Sequence, residues 1–209
     1  RSSCQNNLKQ MGLVFKMYAN ESKGERYPSA QKWEGREVTD ECKRATRVIA
    51  CPDGPSIYPE YLTDVNVLMC PSDATFEQEL QDFYLNGQVD PCLFMDRSYL
   101  YIPWLLTEET AMADPSQAND PGINDTNVFD YMTEEALTVL LDVDAKVSDW
   151  STGGSGNVYD EDASSGSFTA YRFREGIERF LITDINNPAA SAQAQSTIFC
   201  MYDDTSGSN

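Results

Sequence analysis

The first eighteen residues constrain the fold of this chain more than any other stretch. Cys4, Leu8, Met11, Phe15 and Tyr18 recur at alternating four- and three-residue steps, the spacing that draws one narrow apolar stripe along an α-helix. Gln5, Asn6, Lys9, Gln10 and Lys16 fall off that stripe. The helix is predicted to end near Asn20, where Glu21-Ser22-Lys23-Gly24 supplies a polar, glycine-ended stop ahead of Tyr27-Pro28. Leu13, Val14 and Met17 lie to the side of the stripe, so a second apolar strip is expected there, available to a neighbouring helix. Gly12 costs a helix about 1 kcal/mol relative to Ala and is expected to mark a close approach by another backbone.

With 209 residues, the chain is long enough for one sizeable domain with a true core. Eleven Tyr, nine Phe and three Trp compensate for a lean apolar fraction of 41% and argue against global disorder. No apolar run in the sequence reaches membrane-spanning length.

The net charge is −19, unevenly placed: residues 1 to 50 carry +4 and residues 51 to 209 carry −23. An acidic body of this kind repels phosphate backbones, so nucleic acid is not an expected partner. A basic foot under an acidic body suits an anionic membrane surface or head-to-tail packing of like subunits, and an ordinary solvated surface is the plainer alternative.

Six cysteines, Cys4, Cys42, Cys51, Cys70, Cys92 and Cys200, occur without a Cys-x-x-Cys and without a single His. Zinc-ribbon, thioredoxin-type and haem-attachment spacings are therefore absent. Structural disulfides are the expected use, which places the chain in an oxidising space outside the cytoplasm. Fifteen pairings are open.

Further along, residues 31 to 60 read as a loop with a short helix or strand around Glu41 to Ala50, and Tyr58 to Leu62 as a turn leading into a strand from Val65 to Cys70. Ala74 to Leu85 reads as a short helix behind Asp73, and Ser98 to Leu105 as a strand pushed to an edge by Pro103. Thr133 to Asp144, with Glu134 and Glu135 in its first turn, is predicted to be a helix. Residues 148 to 167 read as a long loop, Phe168 to Phe173 as a strand, Ile177 to Ile182 as helix or strand, and Thr197 to Tyr202 as a final strand.

Three stretches carry a resemblance. Cys4-Gln5-Asn6-Asn7-Leu8-Lys9-Gln10-Met11-Gly12-Leu13 leads to Tyr18 and then Gly24 to Tyr27-Pro28; Asn66-Val67-Leu68-Met69-Cys70-Pro71-Ser72-Asp73 follows; and Arg174-Glu175-Gly176-Ile177-Glu178-Arg179-Phe180-Leu181 runs on to Asn187-Pro188. In wording and order they resemble the bacterial pilin-like and pseudopilin family, whose members carry a prepilin-type leader and a long hydrophobic helix. The stretch from about Glu77 to Tyr171 carries no part of the resemblance. The chain also departs from the family pattern in having no His and in ending at Ser206-Gly207-Ser208-Asn209.

The resemblance implies an α+β, pilin-like fold: an N-terminal amphipathic helix packed on an antiparallel sheet with long disulfide-tied loops. Residues 1 to 22 would be the C-terminal part of the long helix and 23 to 209 a single extracytoplasmic head. The chain opens on Arg1 without an initiator Met, and the family's upstream apolar helix would hold it in a membrane before assembly. Leu8, Met11, Leu13, Val14, Phe15 and Tyr18 become the core and assembly face. For the cysteines the working expectation is Cys4 to Cys70, tying the helix to the Cys-Pro turn, Cys42 to Cys51 closing a short loop, and Cys92 with Cys200.

Catalysis is not expected. A serine nucleophile has no His base, no Gly-x-Ser-x-Gly elbow occurs, and no phosphate-cradling glycine loop is followed by Lys. Acids gather at Asp142, Asp144 and Asp149, at Asp160 to Asp162, and at Asp203 and Asp204. Their oxygens would suit calcium, and the related major pseudopilins hold calcium in a C-terminal loop, yet no EF-hand spacing is present. No other cofactor is expected. The expected function is that of a structural subunit of a homopolymeric cell-surface or envelope filament. A monomeric secreted or envelope-tethered module for calcium or polysaccharide is the alternative.

Overall fold

The computed structural model describes residues 2–106, 111–117, 120, 122–123, 127–166, 168–177 and 200–203. Helix α1 spans Ser2–Glu21 and buries Cys4, Asn7, Met11, Val14, Phe15 and Ala19. The buried arc is wider than the stripe read from the sequence, because Asn7 and Val14 also turn inward. Asn7 is accommodated there by donating from Nδ2 to the Met69 carbonyl at 2.8 Å, which offsets the cost of burying an amide.

A hairpin follows. Strand β1 (Ala30–Arg36) pairs antiparallel with β2 (Cys42–Pro52). The segment read as a loop with a short helix or strand is thus the longest ladder among the described residues. The short helix or strand expected around Glu41 to Ala50 is the strand β2, and β1 is the part read as loop. The alternation is present in β2, with Ala45, Ile49 and Cys51 entering one core cluster and Val48 meeting the other.

Those two clusters define the layers. In the first, Met11, Val14 and Phe15 of α1 pack with Ala45 and Ile49, with Ile57, Leu62, Val65, Leu68 and Met69, and with Phe83, Phe94 and Tyr101. The second is built on helix α4 (Glu134–Ser151), whose Ala136, Val139, Val143, Val147 and Trp150 pack with Trp104, Tyr159 and Phe168. Helices α1 and α4 therefore serve different clusters, α4 packing on β2 and α1 on the Val65–Leu68 turn and the Met201–Asp203 strand.

Shorter elements complete the chain: α2 (Gly54–Ile57), α3 (Phe76–Gln81), β3 (Tyr84–Leu85) with β4 (Gln88–Val89), β5 (Tyr99–Tyr101) with β8 (Met201–Asp203), and β6 (Ala163–Ser165) with β7 (Phe168–Ala170). The fold is α+β as expected, but the strands among the described residues form four separate two-stranded antiparallel sheets in place of one larger sheet.

Several boundaries moved for local reasons. Val65–Leu68 is a 3₁₀ turn and not a strand, since Asp64 accepts the Asn66 N–H at 3.0 Å and starts a turn there. The Ala74 to Leu85 helix contracts to α3. Helix α4 begins where predicted, with Thr133 Oγ1 accepting the Ala136 N–H, but runs on to Ser151 because Val147 and Trp150 prolong its apolar stripe. The expected loop from 148 therefore starts later and holds a 3₁₀ turn, Gly156–Tyr159, and strand β6. Beyond β7 the chain keeps extended pairing through isolated bridges of Trp104 with Arg172 and Arg26 with Arg174. The expectations for Ile177 to Ile182 and for Thr197 to Tyr202 fall mostly outside the described residues, of which Met201–Asp203 forms β8.

Two disulfides are present. Cys4–Cys70 ties α1 to the turn after Leu68, as expected, with Cα atoms 5.1 Å apart. Cys42 pairs with Cys92, not with Cys51, at a Cα separation of 5.5 Å. Cys42 and Cys51 sit at opposite ends of β2, roughly 30 Å apart at the rise of an extended strand, far beyond disulfide reach. Cys92 being taken, Cys200 is a free thiol, as is Cys51. Two disulfides are compatible with an extracytoplasmic location.

Candidate functional site

The six helix positions singled out in the sequence separate into two sets. Met11 and Phe15 are fully buried, Val14 is 5% exposed, and Leu8 and Tyr18 are half-buried against the core. Phe15 packs on Tyr101 with ring centroids 4.7 Å apart, and Tyr18 meets Tyr61 edge-on at 5.5 Å. Leu13 alone of the six faces outward, 63% exposed. The expectation that Val14 joins an outer strip is overturned; Met17, 46% exposed, is Leu13's partner one turn on. Gly12 has no atom of the described residues within 4 Å of where a Cβ would stand, so no backbone among them accounts for it.

Around Leu13 and Met17 the outer arc of α1 carries Lys9, Lys16 and Asn20, all exposed. At 100° per residue these positions fall within about a third of the helix circumference, opposite Met11 and Tyr18. The cations matter because most of the other basic residues near the N-terminus are already engaged. Lys32 pairs with Asp160 at 3.7 Å, Lys43 with Glu34 at 3.1 Å, Arg47 with Asp96 at 3.4 Å, and Arg36 with Asp90. These hairpin cations are thus met by Glu34 within the hairpin and by Asp90, Asp96 and Asp160 of the acidic body. Among the described residues, Lys9, Lys16 and Lys23 enter no ion pair.

A comparable outer face exists on α4. Leu141 is 63% exposed, and one turn or two away along the same face stand Glu134, Thr138, Asp144, Ala145 and Ser148, all exposed. Leu141 is apolar like Val139 and Val143, and only its exposure sets it apart from them. Its position relative to Val139 and Val143 carried that information, since it sits on the far side of the wheel.

Asp142, Asp160 and Asp162 of the acidic clusters are engaged in ion pairs, and Asp204 lies outside the described residues. Asp142 pairs with Lys146, and Asp162 accepts the Arg172 backbone N–H at 2.7 Å and the Arg174 guanidinium at 3.1 Å. An open cleft of about 250 Å³ is lined by Lys146, Asp149, Glu161 and Asp162. Among the described residues no group of three or more His, Cys, Asp or Glu side chains is arranged to hold a metal ion. No described helix is long and apolar enough to cross a membrane.

One residue of consequence went unnoticed in the sequence. Arg172 is 1% exposed and has no carboxylate partner among the described residues; its guanidinium donates to the carbonyls of Pro103, Tyr27 and Pro28. Burial pushes its pKa down, the nearby Tyr101 opposing the shift. Comparison of the chain with protein-family models, curated proteins and solved structures finds no match.

Proposed function

We propose that this chain is the extracytoplasmic part of a pilin-like structural subunit that assembles with copies of itself into a cell-surface or envelope filament, and that it carries no catalytic activity. The observation that carries the reading is the division of α1. One side is locked into the subunit core and fastened by Cys4–Cys70, while the other presents Leu13 and Met17, both exposed, alongside Lys9 and Lys16, which enter no ion pair among the described residues. A helix that spends one face on its own domain and keeps an apolar strip on the other is suited to a second partner. The resemblance of the opening run and of the Cys70-Pro71 turn to pilin-like proteins points the same way. In this reading an apolar helix preceding α1 anchors the subunit in a membrane until assembly.

Negative-stain microscopy of native material tests the proposal: fibres that label with antibody to this chain are expected, and a uniformly monomeric native protein would refute it. The unprocessed gene product is expected to encode a short basic leader and an apolar helix ahead of Arg1. A cleavable secretory signal there would favour the monomeric binding module, and a melting temperature raised by calcium and lowered by chelator would give that module its ligand.

A further inference from the structure

The homopolymer reading leaves open which surface of the next subunit receives α1, and we infer that it is the outer face of α4. The two faces are complementary. On α1, Leu13 and Met17 are exposed alongside Lys9 and Lys16, with no acid on the helix before Glu21. On α4, Leu141 is exposed on a helix that holds Glu134, Glu135, Asp142, Asp144 and Asp149 against Lys146 alone. Lys146 is itself occupied by Asp142, so the field of that face is negative. Apolar centre meets apolar centre and cation meets anion, the pattern that selects a partner and fixes its register.

Exposure makes the contact intermolecular. Leu13 and Leu141 are both 63% exposed in the folded chain, and their helices belong to different core clusters, so the two outer faces do not cover one another within one chain. A contact between two different patches is heterologous, and its repetition builds a ring or an open fibre without a limit set at two. Two α1 faces meeting one another would instead bring Lys9 and Lys16 against their own copies and stop at a dimer.

The inference rests on self-association, so the test begins with sedimentation of the wild-type chain over a concentration series at low and high salt. Association that weakens with salt is expected. Lys9→Glu with Lys16→Glu, and separately Asp144→Lys with Ser148→Lys, should each weaken association at least tenfold. An equimolar mixture of the two should recover it, since each reversed face finds its reversed complement and each unchanged face its original one. In a Cys200→Ala background, Leu13→Cys with Leu141→Cys should oxidise to a ladder of oligomers, and Leu13→Cys alone should give none. Wild-type association that none of the four charge changes alters, or disulfide dimers from Leu13→Cys alone, overturns the α1–α4 contact and leaves the homopolymer reading standing. A chain that stays monomeric at every concentration overturns both.

Discussion

The guanidinium of Arg36 holds the buried carboxylate of Asp90 through both Nε and Nη2, and the same carboxylate accepts the backbone N–H of Cys92 at 3.0 Å. The turn end of the hairpin, where Arg36 faces Cys42, is thereby fastened to the Pro91–Leu93 turn beside the Cys42–Cys92 bridge. Arg36→Met leaves that carboxylate buried with backbone donors alone, and is expected to cost about 2 kcal/mol in a urea titration. Arg36→Met combined with Asp90→Ala should cost less than the two single changes added together, because both remove one interaction.

The disulfides close loops of 66 and 50 residues, each worth about 4 kcal/mol in the chain-entropy description. Cys42→Ser with Cys92→Ser is expected to lower stability by about 2–4 kcal/mol. Peptide mapping should recover Cys4 joined to Cys70 and Cys42 joined to Cys92. Burial pushes the Cys51 thiol well up and the Cys200 thiol to about 11, so neither is expected to react promptly with an alkylating reagent near pH 8 until the chain is unfolded. Recovery of a Cys42–Cys51 peptide would contradict the structure.

Two carboxylates should tilt the pH dependence in opposite directions. Burial raises Asp53 above its ordinary 3.8, the neighbouring Lys32 only partly offsetting this. A folded pKa above the unfolded one makes its ionised form a burden at neutral pH, relieved as pH falls through the raised value. Asp53→Asn should therefore compare best with the parent near pH 7 and lose that relative advantage on acidification. Asp73 is held below 3.8 by the N–H and hydroxyl of Thr75, with Ser98 adding to the effect. Its contribution is complete above the unfolded value and lost as pH falls through the depressed folded one, so Asp73→Asn should cost up to about 1 kcal/mol at neutral pH and almost nothing at pH 2. Thermal melts from pH 2 to pH 7 read both.

Arg172 is expected to resist conservative replacement. One ammonium cannot span the three carbonyls that the planar guanidinium reaches, and the carbonyls are buried where an unmet acceptor costs about 1–3 kcal/mol. Arg172→Lys should lower stability by about 3 kcal/mol, as measured by denaturant midpoint, and should loosen protection of nearby amides in hydrogen exchange.

Two glycines should behave oppositely. A Cβ on Gly54 would stand 2.1 Å from the Pro91 carbonyl oxygen and 2.7 Å from the Phe94 ring, so Gly54→Ala is expected to cost about 2–3 kcal/mol. Gly12 lies in mid-helix with open space around it, and Gly12→Ala should raise the stability of the subunit by about 1 kcal/mol. Calorimetry of the two variants decides both.

Local pattern was enough for what depends on local spacing. The stripe through Met11 and Phe15 determined α1, Thr133 with the residues behind it determined where α4 starts, and six cysteines without a His pointed to disulfides over metal or nucleophile. Tertiary contact decided the rest. That the stretch around Glu41 to Ala50 is strand and not helix followed from its pairing with β1, where Glu34 meets Lys43, while Asp96 and the Trp150 carbonyl meet Arg47 and Arg44 from further along the chain. The partner of Cys42 was decided by the extended path of β2, which carries Cys51 away while folding brings Cys92 near. Whether Leu13 or Val14 faced solvent depended on how wide an arc the core claimed, and that width is set by the residues packed against α1, among them Ile49, Met69 and Tyr101, none of which is near it in sequence.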